Sequence, residues 1–247
     1  MRSVTSFLTV LTVLTGCTVA PLTNKIKVGE ESFVVGVGEG SDSLTDLYAA
    51  LASGGNFYRL SFNRAEERMP SLSPEGTRVA FLRRNTAGNP WSLVVLDLRN
   101  NREVSTPLAK AVGEPEAMGW SEDGTMIVIR GLGLMVTPAP PRALWLRSVA
   151  LDSVRWADTV TSELLGDPPS GRIATCAGTT CVIAGNDTTR LEGVSAPIRW
   201  GSDSLGYMGS SGWEIRPLLG GRVRRPEWKG MPDRLREISY YEVRGEK

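Results

Sequence analysis

One short segment recurs along this chain and limits what it can fold into. It is an apolar residue or tryptophan, then serine or glycine, then two turn residues and a glycine slot, followed at once by a β-rich run. The clearest copy is Pro70-Ser71-Leu72-Ser73-Pro74-Glu75-Gly76-Thr77-Arg78-Val79-Ala80-Phe81. The second runs from Ala117 to Ile129 through Trp120-Ser121-Glu122-Asp123-Gly124. The third runs from Pro197 to Tyr207 through Trp200-Gly201-Ser202-Asp203, with Ser204 in the glycine slot. Gly76 and Gly124 are 48 residues apart, and Gly124 and Ser204 are 80 apart, or two periods of 40. Such a period is that of a four-stranded blade in a radial array. The repeated residues are those of a hairpin: glycine takes a left-handed turn position, and serine bonds nearby backbone. The preceding apolar residue or tryptophan is expected to fill the gap between adjacent blades.

The rest of the chain agrees with many short strands. From Glu31 onward no window keeps the i, i+3, i+4, i+7 apolar spacing of a helix. Short β-rich runs alternate with Gly, Pro, Asn, Asp and Ser, and glycine (27) and proline (15) are well supplied. The stretch from Asp46 to Phe81 resembles the TolB-type repeat: Asp46-Leu47-Tyr48, Gly54-Gly55, Arg59-Leu60-Ser61, Pro70 to Gly76, then Arg78-Val79-Ala80-Phe81. Leu72 stands where that repeat has Trp, and Glu75 where it has Asp. The resemblance implies an all-β chain: a β-propeller of four-stranded antiparallel blades. The length from Glu31 predicts five blades, with six the alternative. The N-terminal blade shows three runs, 32–37, 46–51 and 57–62, and the run 238–243 is expected to supply its fourth strand and close the ring.

The N-terminus carries an address. Val4 to Leu14 is apolar and too short to span a bilayer, as in a signal peptide. Leu14-Thr15-Gly16-Cys17 resembles the lipobox of bacterial lipoproteins. That resemblance implies residues 1–17 as a signal ending at a lipid-attachment site, Cys17, residues 18–30 as a tether, and 31–247 as the propeller. Thr18 in place of Asp implies the outer membrane, facing the periplasm. Two further cysteines, Cys176 and Cys181, flank Ala-Gly-Thr-Thr in an expected hairpin. In an exported protein they are a disulfide candidate, the alternative being two buried thiols.

Chemistry is bounded mostly by what is missing. The chain has no histidine, which excludes Ser-His-Asp and Cys-His pairs and the usual histidine metal sites within it. The formal net charge of +1 gives no field to attract nucleic acid. Gly36-Val37-Gly38-Glu39-Gly40 lacks a following helix and a P-loop lysine, so it reads as a turn between strands. The acids Asp42, Asp46, Glu122, Asp123, Asp152 and Asp203 lack calcium-loop spacing. Arg222, Arg224 and Arg225 read as a solvated edge, and 131–141 as an apolar, proline-rich loop. Arg64, Glu66, Glu67 and Arg68 form a mixed-charge stretch before an expected innermost strand, so Arg64, Glu67 and Arg68 are the candidate binding residues at a channel mouth.

These features predict a non-enzymatic, lipid-anchored propeller that binds or scaffolds proteins in the bacterial cell envelope, with no cofactor and with an envelope protein as partner. A ligand- or carbohydrate-binding sensor propeller is the alternative. A glycosidase stands third, because no carboxylate pair presents itself.

Overall fold

The computed structural model describes residues 20–40, 44–108, 114–131, 142–147, 153–157, 172–176, 179–184, 187–191, 195–201, 203–209, 212–218 and 221–243. Among them the chain is strand after strand, with one 3-10 turn, η1 (Leu22–Asn24), and no α-helix. The first strands are β1 (Phe33–Glu39), β2 (Thr45–Leu51), β3 (Gly54–Asn56) and β4 (Tyr58–Arg59). Next come β5 (Glu66–Leu72), β6 (Arg78–Arg84), β7 (Ser92–Asp97) and β8 (Arg102–Pro107). They are followed by β9 (Pro115–Trp120), β10 (Met126–Gly131), β11 (Arg142–Arg147) and β12 (Ser153–Ala157). The last are β13 (Arg172–Cys176), β14 (Thr179–Ala184), β15 (Asp187–Leu191), β16 (Ser195–Trp200), β17 (Ser204–Gly209), β18 (Gly212–Pro217), β19 (Glu227–Lys229) and β20 (Arg236–Tyr241).

These strands pair into antiparallel sheets in the orders β20-β1-β2-β4, β5-β6-β7-β8, β12-β11-β10-β9, β13-β14-β15 and β16-β17-β18, plus a short parallel pair, β19 with β3. The C-terminal strand β20 lies against β1, with Val34 opposite Tyr240. This is the ring closure expected from the sequence. The leading strands of successive sheets are neighbours: β16 lies against β20, β20 against β5, and β5 against β9. A one-residue slip in pairing marks each of these four strands. Bulges of this kind bend a strand and raise its twist, as a radial array requires.

The core sits between sheets. Phe33, Val35, Leu47, Val79, Phe81, Val94 and Leu96 fill one layer, and Ala80, Leu82, Leu93, Trp120, Ile127 and Ile129 the next. Alternate residues of β6 face opposite layers, as the period of two demands. Leu22 and Ile26 belong to the first layer, and the Thr23 N–H donates to the Leu98 carbonyl at 3.3 Å. Residues 20–30, expected as a free tether, are therefore part of the packed body, because two apolar side chains dock beneath the first two sheets.

The repeated hairpins are matched in two of the three copies. Ser73 Oγ accepts from the Arg78 N–H at 3.1 Å, and Ser121 Oγ from the Met126 N–H at 2.9 Å. Gly76 and Gly124 both sit at φ 68°. Trp120 donates its indole N–H to the Ser71 carbonyl at 2.9 Å, across the gap between sheets. The third copy departs from expectation. Trp200 pairs directly with Ser204, so the turn is shorter, and the left-handed residue is Gly201 rather than Ser204.

Other expectations shift in detail. The basic stretch Arg222 to Pro226 forms no strand, only a bridge between Arg224 and Ile215, since Gly221 takes φ 135° and Pro226 lacks a donor. Of the glycines in Gly36 to Gly40, only Gly40 lies in the connection between strands, where its N–H donates to the Leu44 carbonyl at 2.7 Å. Gly36 and Gly38 lie within β1, where an added Cβ would come within 2.9 Å of Leu235 and 2.5 Å of Pro232. Their role is close approach of the C-terminal segment. Residues 132–141 of the apolar, proline-rich loop lie outside the described residues, as does Cys17.

Candidate functional site

The strands give the body two opposite ends. One end carries the turns 73–77, 98–101 and 121–125 together with η1. The other carries the connection 60–65, the β6–β7 loop 85–91 and the approach to β9. A cleft of about 540 Å3 opens at this second end, lined by Asn63, Arg64, Arg83, Asn85, Asn89, Pro90, Ser92, Ser105 and Pro107. The lining is mostly amide and hydroxyl groups, able both to donate and to accept. Beside it Phe62 is 57% exposed, with the Arg59 guanidinium over its ring at 4.4 Å.

A buried charge network holds the floor. Glu67 is 0% exposed. Its Oε1 accepts from Arg83 Nε at 2.9 Å, and its Oε2 accepts from the Leu47 N–H at 3.1 Å and from Ser61 Oγ. Its own backbone exchanges hydrogen bonds with Thr45 Oγ1, at 2.7 and 2.8 Å. Arg83 also grips Glu103 through two bonds of 2.8 and 2.9 Å. Burial pushes the Glu67 carboxyl above its usual range, against the opposing pull of Arg83, Ser61 and Asn63. Burial works against the charge of Arg83 too, but the hydrogen bond to Glu103 and the charges of Glu67 and Glu103 leave its pKa raised. Asp46, 1% exposed, pairs with Arg59 at 2.5 Å. The Asp46–Arg59 pair ties β2 to β4 within one sheet, while Ser61, between the Leu47 N–H and Glu67, joins that sheet to β5 and, through Arg83, to β6.

The structure separates the three candidate residues. Arg64 lines the cleft. Glu67 is enclosed beneath it, with every described contact structural. Arg68 points elsewhere, to Glu237 at 3.3 Å and Glu114 at 3.4 Å. The reason is that β5 begins at Glu66, earlier than expected, so alternate residues of the stretch go to different faces. The cleft residues missed by sequence reasoning, Asn63, Asn85, Asn89, Ser92 and Ser105, come from three separate segments and carry no motif. Elsewhere Arg225 pairs with Glu214 at 2.5 Å. Among the described residues no group of three acidic or sulfur ligands could hold a metal ion. In the β13–β14 hairpin Cys176 stands opposite Thr179 and Cys181 opposite Ala174, so the two cysteines are offset along the ladder instead of facing each other.

A scan against protein-family models found no match, and a search of curated proteins found none either. Solved structures do match. A nidogen/laminin complex aligns over 86% of this chain and 99% of that chain, at 10% identity and a TM-score of 0.52. The fold is a β-propeller. TolB from Acinetobacter baumannii also matches, over 85% of this chain and 66% of that one, at 12% identity and a TM-score of 0.46. The TolB-like repeat thus lies in the fold that its resemblance implied. The chain spans just under two thirds of that TolB's length.

One expectation is corrected by these matches. The propeller does not mark the chain as a non-enzyme, because peptidases carry the fold. An acylaminoacyl peptidase in complex with a chloromethyl ketone matches over 78% of this chain but only 37% of its own, at 11% identity and a TM-score of 0.38. Reading the fold as non-catalytic does not stand.

Proposed function

We propose that this propeller is a protein-binding module of the bacterial cell envelope, held through lipid on Cys17 at the outer membrane, facing the periplasm. The observation that carries the binding reading is the cleft of Asn63, Asn85, Asn89, Ser92 and Ser105 beside exposed Phe62. Side-chain amides and hydroxyls match the donors and acceptors of an extended partner backbone. An exposed aromatic flanked by arginine is the residue pair on which interface energy concentrates. The similar fold in a nidogen/laminin complex supports a propeller of this size as a partner in a protein assembly.

The test is site-specific photocrosslinking from Asn85 and Asn89 in intact cells, followed by binding measurements with the protein recovered. Phe62→Ala is expected to weaken that complex by about 1–2 kcal/mol, roughly five- to thirtyfold in Kd. Crosslinks that capture no protein, with calorimetric binding of an oligosaccharide at the same residues, would transfer the cleft to the carbohydrate-sensing reading that its amide lining also suits.

A further inference from the structure

We infer that the anchored propeller stands with its turn end against the membrane and its cleft directed away from it; this rests on the reading of Cys17 as the lipid site. The first residue held in the core is Leu22, five residues after Cys17. Fully extended, the path from Cys17 to Leu22 reaches roughly 17 Å. From Leu22 onward the chain is committed to the body. Leu22 and Ile26 are core residues, the Thr23 N–H bonds the Leu98 carbonyl, and Tyr241 Oη donates to the Gly29 carbonyl at 3.0 Å. An added Cβ on Gly29 would lie 3.4 Å from both Glu75 and Thr77. The segment therefore enters at the end that carries the β5–β6 and β7–β8 turns.

The cleft lies at the opposite ends of the same strands. A seven-residue strand such as β6 is about 23 Å long, more than the reach of the leash before the loops at either end are added. An acylated Cys17 can sit in the interface only with the turn end beside it. That end bears exposed Lys25 and Lys27, but also Glu30 and Asp123, so charge of one sign does not dominate. A lipid surface is held there by the acyl anchor and contacted by the turns. A single acyl chain binds a bilayer only marginally, whereas two or more hold firmly. The short leash then converts the anchor from a tether into an orienting device.

The experiment uses the full chain matured in cells and reconstituted into phosphatidylethanolamine and phosphatidylglycerol vesicles that carry a headgroup photoreactive lipid. Crosslinks are mapped by mass spectrometry, and Cys17 acylation is read separately with a palmitate analogue in wild type and Cys17→Ser. Acylated wild type is expected to crosslink within 20–31, 73–77 and 98–101 and not within 85–90. Crosslinks in 85–90, or along β8, overturn the orientation while leaving the anchor standing. Equal palmitate labelling of wild type and Cys17→Ser overturns the anchor and the orientation with it.

Discussion

Replacing Arg83 by methionine isolates the energetics of the buried network. Methionine keeps the length and apolar stem of the side chain but removes the charge that faces Glu67 at 2.8 Å. Glu67, with no exposed surface, would keep its bonds from Ser61 and the Leu47 N–H, and would lose its counter-charge. Breaking a buried pair by removing one partner costs about 3–5 kcal/mol. Glu103 is partly exposed and stays solvated when its partner goes, so it adds little. For a chain of this size each kcal/mol moves Tm by about 2–4 °C, which gives a fall of roughly 6–20 °C.

The acid dependence carries a sign of its own. A carboxyl whose folded pKa lies above its unfolded value gives stability that is full below the unfolded pKa and fades as pH rises through the folded one. Burial already raises Glu67, and losing Arg83 raises it further. The deficit of Arg83→Met should therefore be largest at neutral pH and shrink as pH falls toward the ordinary carboxyl range. Denaturant unfolding followed by tryptophan fluorescence measures this directly. Adding Glu67→Gln should restore most of the loss, because no buried charge is left unpaired. A deficit below about 1 kcal/mol, well short of the loss expected for a broken buried pair, would refute the reasoning. So would a deficit that does not change with pH, or a double variant no better than the single one.

Gly76→Ala places a Cβ at φ 68° and within 2.5 Å of the Tyr241 ring, so about 1–3 kcal/mol of stability should be lost, read as a lowered denaturation midpoint. Asp123 is held at a pKa of about 2 by Ser121 and by the Thr125 backbone and side chain. Its contribution is present above the unfolded carboxyl pKa and lost as pH falls through about 2, so Asp123→Ala should trail wild type at neutral pH and converge with it in acid. Leu22→Ala should cost about 2–4 kcal/mol in thermal unfolding if residues 20–30 belong to the core, and almost nothing if they are a leash.

The repeat was legible because its turns impose local chemistry: glycine where φ is positive, serine where a backbone N–H needs an acceptor. Ring closure was legible from an unpaired run at each end of the chain. The third turn was misread because Trp200 and Ser204 preserve the composition of the repeat while the hairpin loses length, and composition does not report register. The docking of 20–30 was hidden because Leu22, Ile26 and Val28, set among polar residues, are too few to show a period. The cleft was hidden for a different reason. Its residues are brought together from two loops and from strands β6, β7 and β8, and each segment reads alone as ordinary polar chain. The pair of roles taken by Glu67 and Arg64, three positions apart, turned on where β5 begins.

The pairing of β1 with β20 sets a condition on biogenesis. Val34 and Tyr240 are neighbours in space and 206 residues apart in sequence. Closing a loop of that length costs on the order of 5 kcal/mol in chain entropy, recovered only when the last strand docks. A chain that emerges N-terminus first must hold β1 with one bare edge until β20 arrives. During that interval the edge is a template for any passing strand. A chain shortened before Arg236 would never leave that state, so loss of β20 should read out as aggregation or clearance of the whole protein and not as a frayed end.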